Sequence, residues 1–144
     1  GEGPERDAME KLVKQHGIRA VFTGFVNQAE LPRYYTLADI FVVISSYDAS
    51  PKALNEALNF SIPAISSDRV GTARDLVQHG KNGFVVNVGD QEAIARGIDF
   101  CNRNREKSCE MGKVSADIVA SWSLENDVKG ILKAVRYVLR SKVQ

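Results

Sequence analysis

The sequence predicts a Rossmann-like, three-layer α/β/α sandwich with a mostly parallel sheet. Three observations carry that prediction. Short apolar runs alternate with stretches of helical periodicity, the order expected of β-α-β crossovers. Residues 40–45 (IFVVIS) are apolar on consecutive positions, as in a parallel strand covered on both faces. Gly17, Gly24, Pro51, Gly80 and Asp90 fall where such an alternation needs turns, stops and caps.

Each element follows in order. Gly1-Glu2-Gly3-Pro4 is a glycine turn that places Pro4 at a helix start. The helix runs through His16, with Met9, Leu12 and Val13 near helical spacing, and stops at Gly17. A short strand is predicted over 19–23, a turn over 24–27, and a helix over 28–37 with Pro32 tolerated in its first turn. The strand 40–45 and a polar loop follow. Ser50 is then a good N-cap and Pro51 a favoured first helical residue, which predicts a helix over 51–59. Next come a strand over 62–66, a short helix over 72–79 closed by Gly80, and a strand over 84–86. A helix over 90–104 takes Asp90 as its cap, and helices over 105–121 and 123–142 finish the chain. Tyr34, Tyr35 and Phe60 are expected in the core. A doubly wound domain should open with a strand, whereas this chain opens with the turn that normally follows one. Residues 1–144 are therefore expected to form one domain lacking its first strand or strands, a fragment of a longer protein.

At 144 residues the chain can bury an ordinary core. A net charge of +1 gives no support to nucleic-acid binding through phosphate neutralisation. No apolar run approaches the roughly 18–20 residues that cross a bilayer, and no secretory signal is visible. Cys101 and Cys109 are too few for a disulfide scaffold and fit a reducing, cytoplasmic compartment. His16 and His79 have no ligand-like neighbours at metal spacing, and no Asp-x-Asp occurs, so no metal or other cofactor is expected.

The chain is organised around residues 40–76. A helix that begins directly beyond a parallel strand presents free N–H groups and a positive dipole end to the crevice where open α/β sheets bind ligands. Asp48 ends the loop before that helix, and Glu56 lies on it between Ala53-Leu54 and Ala57-Leu58, in largely apolar surroundings where a carboxylate needs a partner. A loop acid beside a solvated helix glutamate is the plain alternative. The sharper one is a ligand carrying both phosphate and hydroxyl groups, with the phosphate at the helix start and vicinal hydroxyls at Glu56.

The run SYDASPKALNEALNFSIPAISSDRVGTARDLVQHGKNGFVV resembles the donor-binding half of retaining glycosyltransferases of the GT-B fold, specifically group 1. The family pattern there is Glu, seven residues, Glu-Ala, a small-residue turn, Pro-Val-Ile, and a Gly-Gly-x-x-Glu loop ending in Asn-Gly. GEGPERDAMEKLV and VFTGFVNQAELPRYYTLADIFVV match the preceding turn, strand and helices, and Trp122 stands in the usual place before the last helix. Asp48, Gly71-Thr72 and Asp75 depart from Glu, Gly-Gly and the final Glu. The resemblance implies that Asp48 approaches the donor sugar and acts in catalysis, and that Glu56 binds the ribose hydroxyls. Ser50, Pro51, Lys52 and Ala53 would face the diphosphate and sugar, and Phe25 and Val26 the nucleobase. It implies hexose transfer from a nucleotide diphosphate sugar to an acceptor hydroxyl with retention, in polysaccharide or glycolipid synthesis. The cationic diphosphate clamp would lie upstream, in a loop this chain does not contain, and the acceptor site in an N-terminal domain, leaving this fragment inactive alone. The alternatives are a non-catalytic nucleotide- or sugar-binding module, or another GT-B-shaped enzyme such as a nucleotide-sugar epimerase.

The last helix carries Lys129, Lys133, Arg136 and Arg140 on one stripe and Val128, Ile131, Leu132, Val135 and Leu139 on another. A solvated face over a packed one is expected. Peripheral docking on an anionic lipid surface, or on the missing domain, is the alternative.

Overall fold

The computed structural model describes residues 2–141, so Gly1 of the opening turn and Lys142 of the last predicted helix lie outside it. The chain forms two compact units, Gly1–Leu37 and Ala38–Gln144.

The first unit holds α1 (Arg6–Gln15) and α2 (Leu31–Leu37). Arg6 organises it. Its guanidinium pairs with Glu10 at 2.9 Å and with Glu2, and lies 5.8 Å from the centroid of the Phe22 ring. The strand expected over 19–23 does not form. Arg19, Ala20, Val21 and Thr23 are exposed, and no strand among the described residues ladders with them. The apolar pattern is present, but a strand exists only through the hydrogen bonds of a neighbour. The second helix starts later than expected because Asn27 takes the preceding turn, its side chain accepting from Ala29 N–H at 2.7 Å and its carbonyl from Glu30 N–H at 3.0 Å.

The second unit contains a parallel sheet of β1 (Phe41–Val43), β2 (Ala64–Ser67) and β3 (Gly83–Val86) in that spatial order. Phe41 aligns with Ala64, and Ala64 with Gly83. A Cβ on Gly83 would lie 1.9 Å from the Ala64 carbonyl oxygen, so the last strand can start only with glycine. The crossovers run through α3 (Lys52–Asn59) and α4 (Ala73–Leu76), and α5 (Gln91–Arg103), α6 (Arg105–Ala120) and α7 (Leu124–Ser141) follow. Asp90 caps α5 as expected, accepting from Ala93 N–H at 2.9 Å.

Successive strand side chains face opposite ways, and the two faces of β2 show the layers. Ala64 joins Leu54 and Leu58 of α3, Val70, Ala73, Leu76 and Val77 around α4, and Val119 of α6 in one buried cluster. Ile65 points to the other face, against Gly97 of α5. Helices thus cover both sides of the sheet at β2, as the alternating pattern predicted, whereas β1 at the sheet edge leaves Val42 exposed, with Ile44 just beyond it, and is not covered on both faces. Asn82 ties the layers together. It is fully buried, donates to Leu76 C=O at 2.9 Å and Ser115 Oγ at 3.3 Å, and accepts from Gln78 N–H at 2.7 Å. That last bond diverts the chain after Leu76 and shortens α4 relative to the expected 72–79.

Two expectations about burial fail. Tyr34 and Phe60 are exposed, and Tyr35 only half-buried. More consequentially, the apolar row of α7 is not packed. Val128, Ile131, Leu132, Val135 and Leu139 are all exposed, and every described α7 side chain shares that state. Periodicity marks which face of a helix is apolar, but not whether anything covers it.

Candidate functional site

Beyond β1 the chain folds back and is fastened to the segment after β2. Ser67 donates to Ser45 C=O at 2.6 Å, Asp48 N–H to Arg69 C=O at 3.3 Å, and Gly71 N–H to Asp48 C=O at 2.8 Å. The two loops approach so closely that a Cβ on Gly71 would meet the Ala49 carbonyl oxygen at 2.3 Å. The Asp48 carboxylate turns onto its own loop, Oδ1 accepting from Ser50 N–H at 3.1 Å in an Asx turn. That turn shifts the helix start by one residue. Pro51, in extended conformation (φ −67°, ψ 114°), is the N-cap in place of Ser50, and Lys52 is the first helical residue in place of Pro51. No side chain caps α3. Leu54 N–H takes Pro51 C=O at 3.1 Å, which leaves the amides of Lys52 and Ala53 to water or a ligand.

A cavity of about 350 Å³ opens along this helix start. Pro51, Lys52, Asn55 and Glu56 form the α3 wall, one helical face at i, i+3 and i+4 spacing. Ser50, Thr72, Leu76 and Trp122 complete it. Glu56 is half-buried there. Lys52 is exposed and has no ion-pair partner among the described residues. The Thr72 hydroxyl oxygen is buried without a hydrogen-bond partner, an uncommon state for a buried polar atom. The wall thus offers a cation, a carboxylate and an uncapped helix start to one solvent-open space. An anionic polyol matches that set: phosphate oxygens accept from N–H and ammonium groups, and hydroxyls donate to a carboxylate.

Of the residues singled out from sequence, Ser50, Pro51, Lys52 and Glu56 line this cavity, while Asp48 and Ala53 do not. Phe25 and Val26 belong to the first unit, where Phe25 is 86% exposed and Val26 half-buried. Asn55, Thr72, Leu76 and Trp122 were missed. Helical spacing from Lys52 could have found Asn55, whereas the other three arrive from distant segments. His79 serves the edge of the sheet, with Nδ1 at 3.2 Å from Val85 N and 3.1 Å from Val85 O.

Residues 1–116 match the family described as Glycosyl transferases group 1. The chain belongs to that family. A sulfoquinovosyl transferase of Arabidopsis thaliana is 32% identical to it over 120 residues, which are 81% of this chain and 23% of that protein. Among solved structures, a sucrose-phosphate synthase from Thermosynechococcus elongatus superposes with a TM-score of 0.79 at 25% identity, over 98% of this chain and 36% of that one. The Anabaena protein HepE, solved in complex with UDP-glucose, gives a TM-score of 0.72 at 24% identity, over 96% of this chain and 38% of that one. This group 1 chain therefore has the fold of the C-terminal half of GT-B glycosyltransferases, and it spans only 23–38% of the length of these three relatives. No helix among its described residues is long and apolar enough to cross a membrane.

Proposed function

We propose that this group 1 chain is the donor-binding domain of a longer, two-domain glycosyltransferase. The enzyme moves a hexose from a nucleotide diphosphate sugar to an acceptor hydroxyl with retention of configuration, in polysaccharide or glycolipid synthesis in the cytoplasm. The observation that carries this reading is the cavity in which Lys52 and Glu56 flank the uncapped start of α3. UDP-glucose bound to HepE supports the ligand class.

In this reading the diphosphate lies against the amides of Lys52 and Ala53 and the Lys52 ammonium. Charge developing on the leaving diphosphate is stabilised there by dipoles and a cation already in place, with the Arg and Lys of an upstream loop closing the other side. This chemistry uses no metal or other cofactor. Glu56 accepts from the vicinal ribose hydroxyls. Asp48 holds its loop through Oδ1 and approaches the donor sugar from beside the cavity, whose lining it does not join. Ser50 and Pro51 shape the cavity mouth, and Phe25 and Val26 lie near the base. The 144-residue chain alone is inactive, because the remaining cations come from an upstream loop and the acceptor site from the other domain.

The test is turnover of a nucleotide-sugar panel by the full-length protein, wild type against Glu56→Ala. Two hydrogen bonds to a charged acceptor contribute roughly 1.5–3 kcal/mol each, so kcat/KM for the true donor should fall on the order of 10²-fold or more. Unchanged kcat/KM for every donor would overturn the assignment of Glu56. Binding of donor without turnover in the wild type would favour a non-catalytic module.

A further inference from the structure

The Thr72 hydroxyl is a polar group in the cavity wall that the donor reading leaves unused. Thr72 is half-buried and lines the cavity with Lys52 and Glu56, yet its hydroxyl oxygen is closed off and has no hydrogen-bond partner. The atoms it shows to the cavity are therefore others than that oxygen. Nor does the hydroxyl cap α4, although Thr72 stands at the N-cap, where a threonine usually bonds an amide of the first turn. Buried polar atoms nearly always have a partner. Where this oxygen lies, neither water nor a more distant part of the protein reaches it, so a partner is met only if the oxygen moves.

The main chain does not supply that movement. Thr72 C=O accepts from the N–H groups of Asp75 at 3.2 Å and Leu76 at 3.0 Å. On either side, Gly71 N–H donates to Asp48 C=O at 2.8 Å and Ala73 N–H to Val70 C=O at 3.0 Å. Rotation about Cα–Cβ is the freedom left, and a step to another staggered well carries the oxygen to where another Cβ substituent stood. That step turns it toward the cavity. Thr72 is also held at the α3 end of this space, because Gly71 packs so closely that an added Cβ would lie 2.3 Å from the Ala49 carbonyl oxygen, just before the Pro51 N-cap.

We propose that the Thr72 hydroxyl turns into the cavity and donates to a phosphate oxygen of the bound nucleotide diphosphate sugar. This role rests on the donor reading and adds to it a residue that closes on the ligand. Charge decides the acceptor. Water in the open cavity can also take the hydroxyl, but a hydrogen bond to an anionic oxygen is roughly twice as strong as one between neutral groups. The Lys52 ammonium and the amides of Lys52 and Ala53 are donors at the same end, so an anion there meets a set that the hydroxyl completes. An acidic side chain from the rest of the full-length protein is the competing acceptor, and the experiment separates the two.

The experiment is calorimetric titration of the full-length protein with UDP, GDP, ADP and CDP, together with thermal melts in their absence. For the diphosphate that binds, Thr72→Val should raise Kd roughly tenfold or more, through loss of one hydrogen bond to a charged group. Thr72→Ser, which keeps the hydroxyl, should retain most of that affinity. Without ligand, Thr72→Val should melt no lower than wild type, since it removes an unpartnered buried oxygen. An unchanged Kd in Thr72→Val, while Glu56→Ala weakens binding, would overturn this role for Thr72 and leave the donor reading standing. A lower melting temperature of Thr72→Val without ligand would also overturn it, because the hydroxyl would then have its partner within the protein. If the wild type binds none of the four, the donor reading fails and Thr72 loses its ligand with it.

Discussion

Asn82 offers the sharpest test of how the site is held in place. Truncation to alanine removes the donors to Leu76 C=O and Ser115 Oγ and the acceptor of Gln78 N–H, at 2.9, 3.3 and 2.7 Å. Leu76 and Ser115 are almost completely buried, so water cannot replace the lost partner. Three hydrogen bonds at about 1 kcal/mol net each, plus the penalty for orphaned groups, give roughly 3–5 kcal/mol. That is a large part of the ~5–15 kcal/mol that stabilises a typical domain. At about 3 °C per kcal/mol for a chain of this size, the melting temperature should drop by roughly 10–15 °C. A thermal melt followed by circular dichroism reads this directly, with urea unfolding as a check that the transition stays cooperative. A shift of less than about 2 °C would refute the idea that the Asn82 side chain joins α4, the turn after it and α6. Because Leu76 also lines the cavity, donor affinity should fall together with stability.

Gly71→Ala should separate binding from stability. Its Cβ would press on the Ala49 carbonyl oxygen at 2.3 Å, and such overpacking costs about 1–3 kcal/mol. The loop that yields carries Ser50 and Pro51, so KM for the donor should rise even in the cold, where the domain stays folded; an unchanged KM would show that the loop contact does not shape the cavity. The two thiols should also differ. Burial pushes the Cys101 thiol up, partly offset by a hydrogen bond with Ser108, whereas Cys109 is exposed. Ellman's reagent should therefore titrate Cys109 quickly and Cys101 only on unfolding. As pH rises through the ordinary thiol range, the unfolded chain releases a proton that the folded chain keeps, so this group lowers stability at alkaline pH and has no effect below that range. Stability measured for Cys101→Ser should lack that alkaline component.

Legibility in the sequence tracked how local each cause is. The capping aspartate at 90 is local and gave the cap it predicted; the apolar run of 40–45 gave a strand, but only over Phe41–Val43 and with Val42 exposed, because the cover on each face is supplied by other segments. Pro51 was placed in the right turn but one residue off, because the Asx turn made by Asp48 competes with Ser50 for the role of ending the loop. Residues 19–23 carry a strand pattern and form none, since pairing is supplied by another segment. The same holds at the site. Lys52 and Glu56 share a helix face that spacing reveals, but Thr72 and Trp122 come from segments that only the folded chain brings to that cavity. Exposure of the α7 face is likewise a property of its surroundings.

The shortened acid at 48 bears on how the site divides its tasks. An aspartate can close a ring onto the amide two residues ahead, and the longer glutamate of the family pattern is poorly suited to that turn. Its Oδ1, the Ser67 hydroxyl and the Gly71 amide fix the 45–51 loop from three directions. None of those bonds uses Lys52 or the first amides of α3. The groups that rigidify the loop are therefore distinct from Lys52 and the uncapped first amides of α3, which is the arrangement a preorganised anion site requires. A carboxylate released from loop duty would gain reach toward a sugar but would loosen the segment that aims α3, and the observed Asp48 places the balance on the side of rigidity.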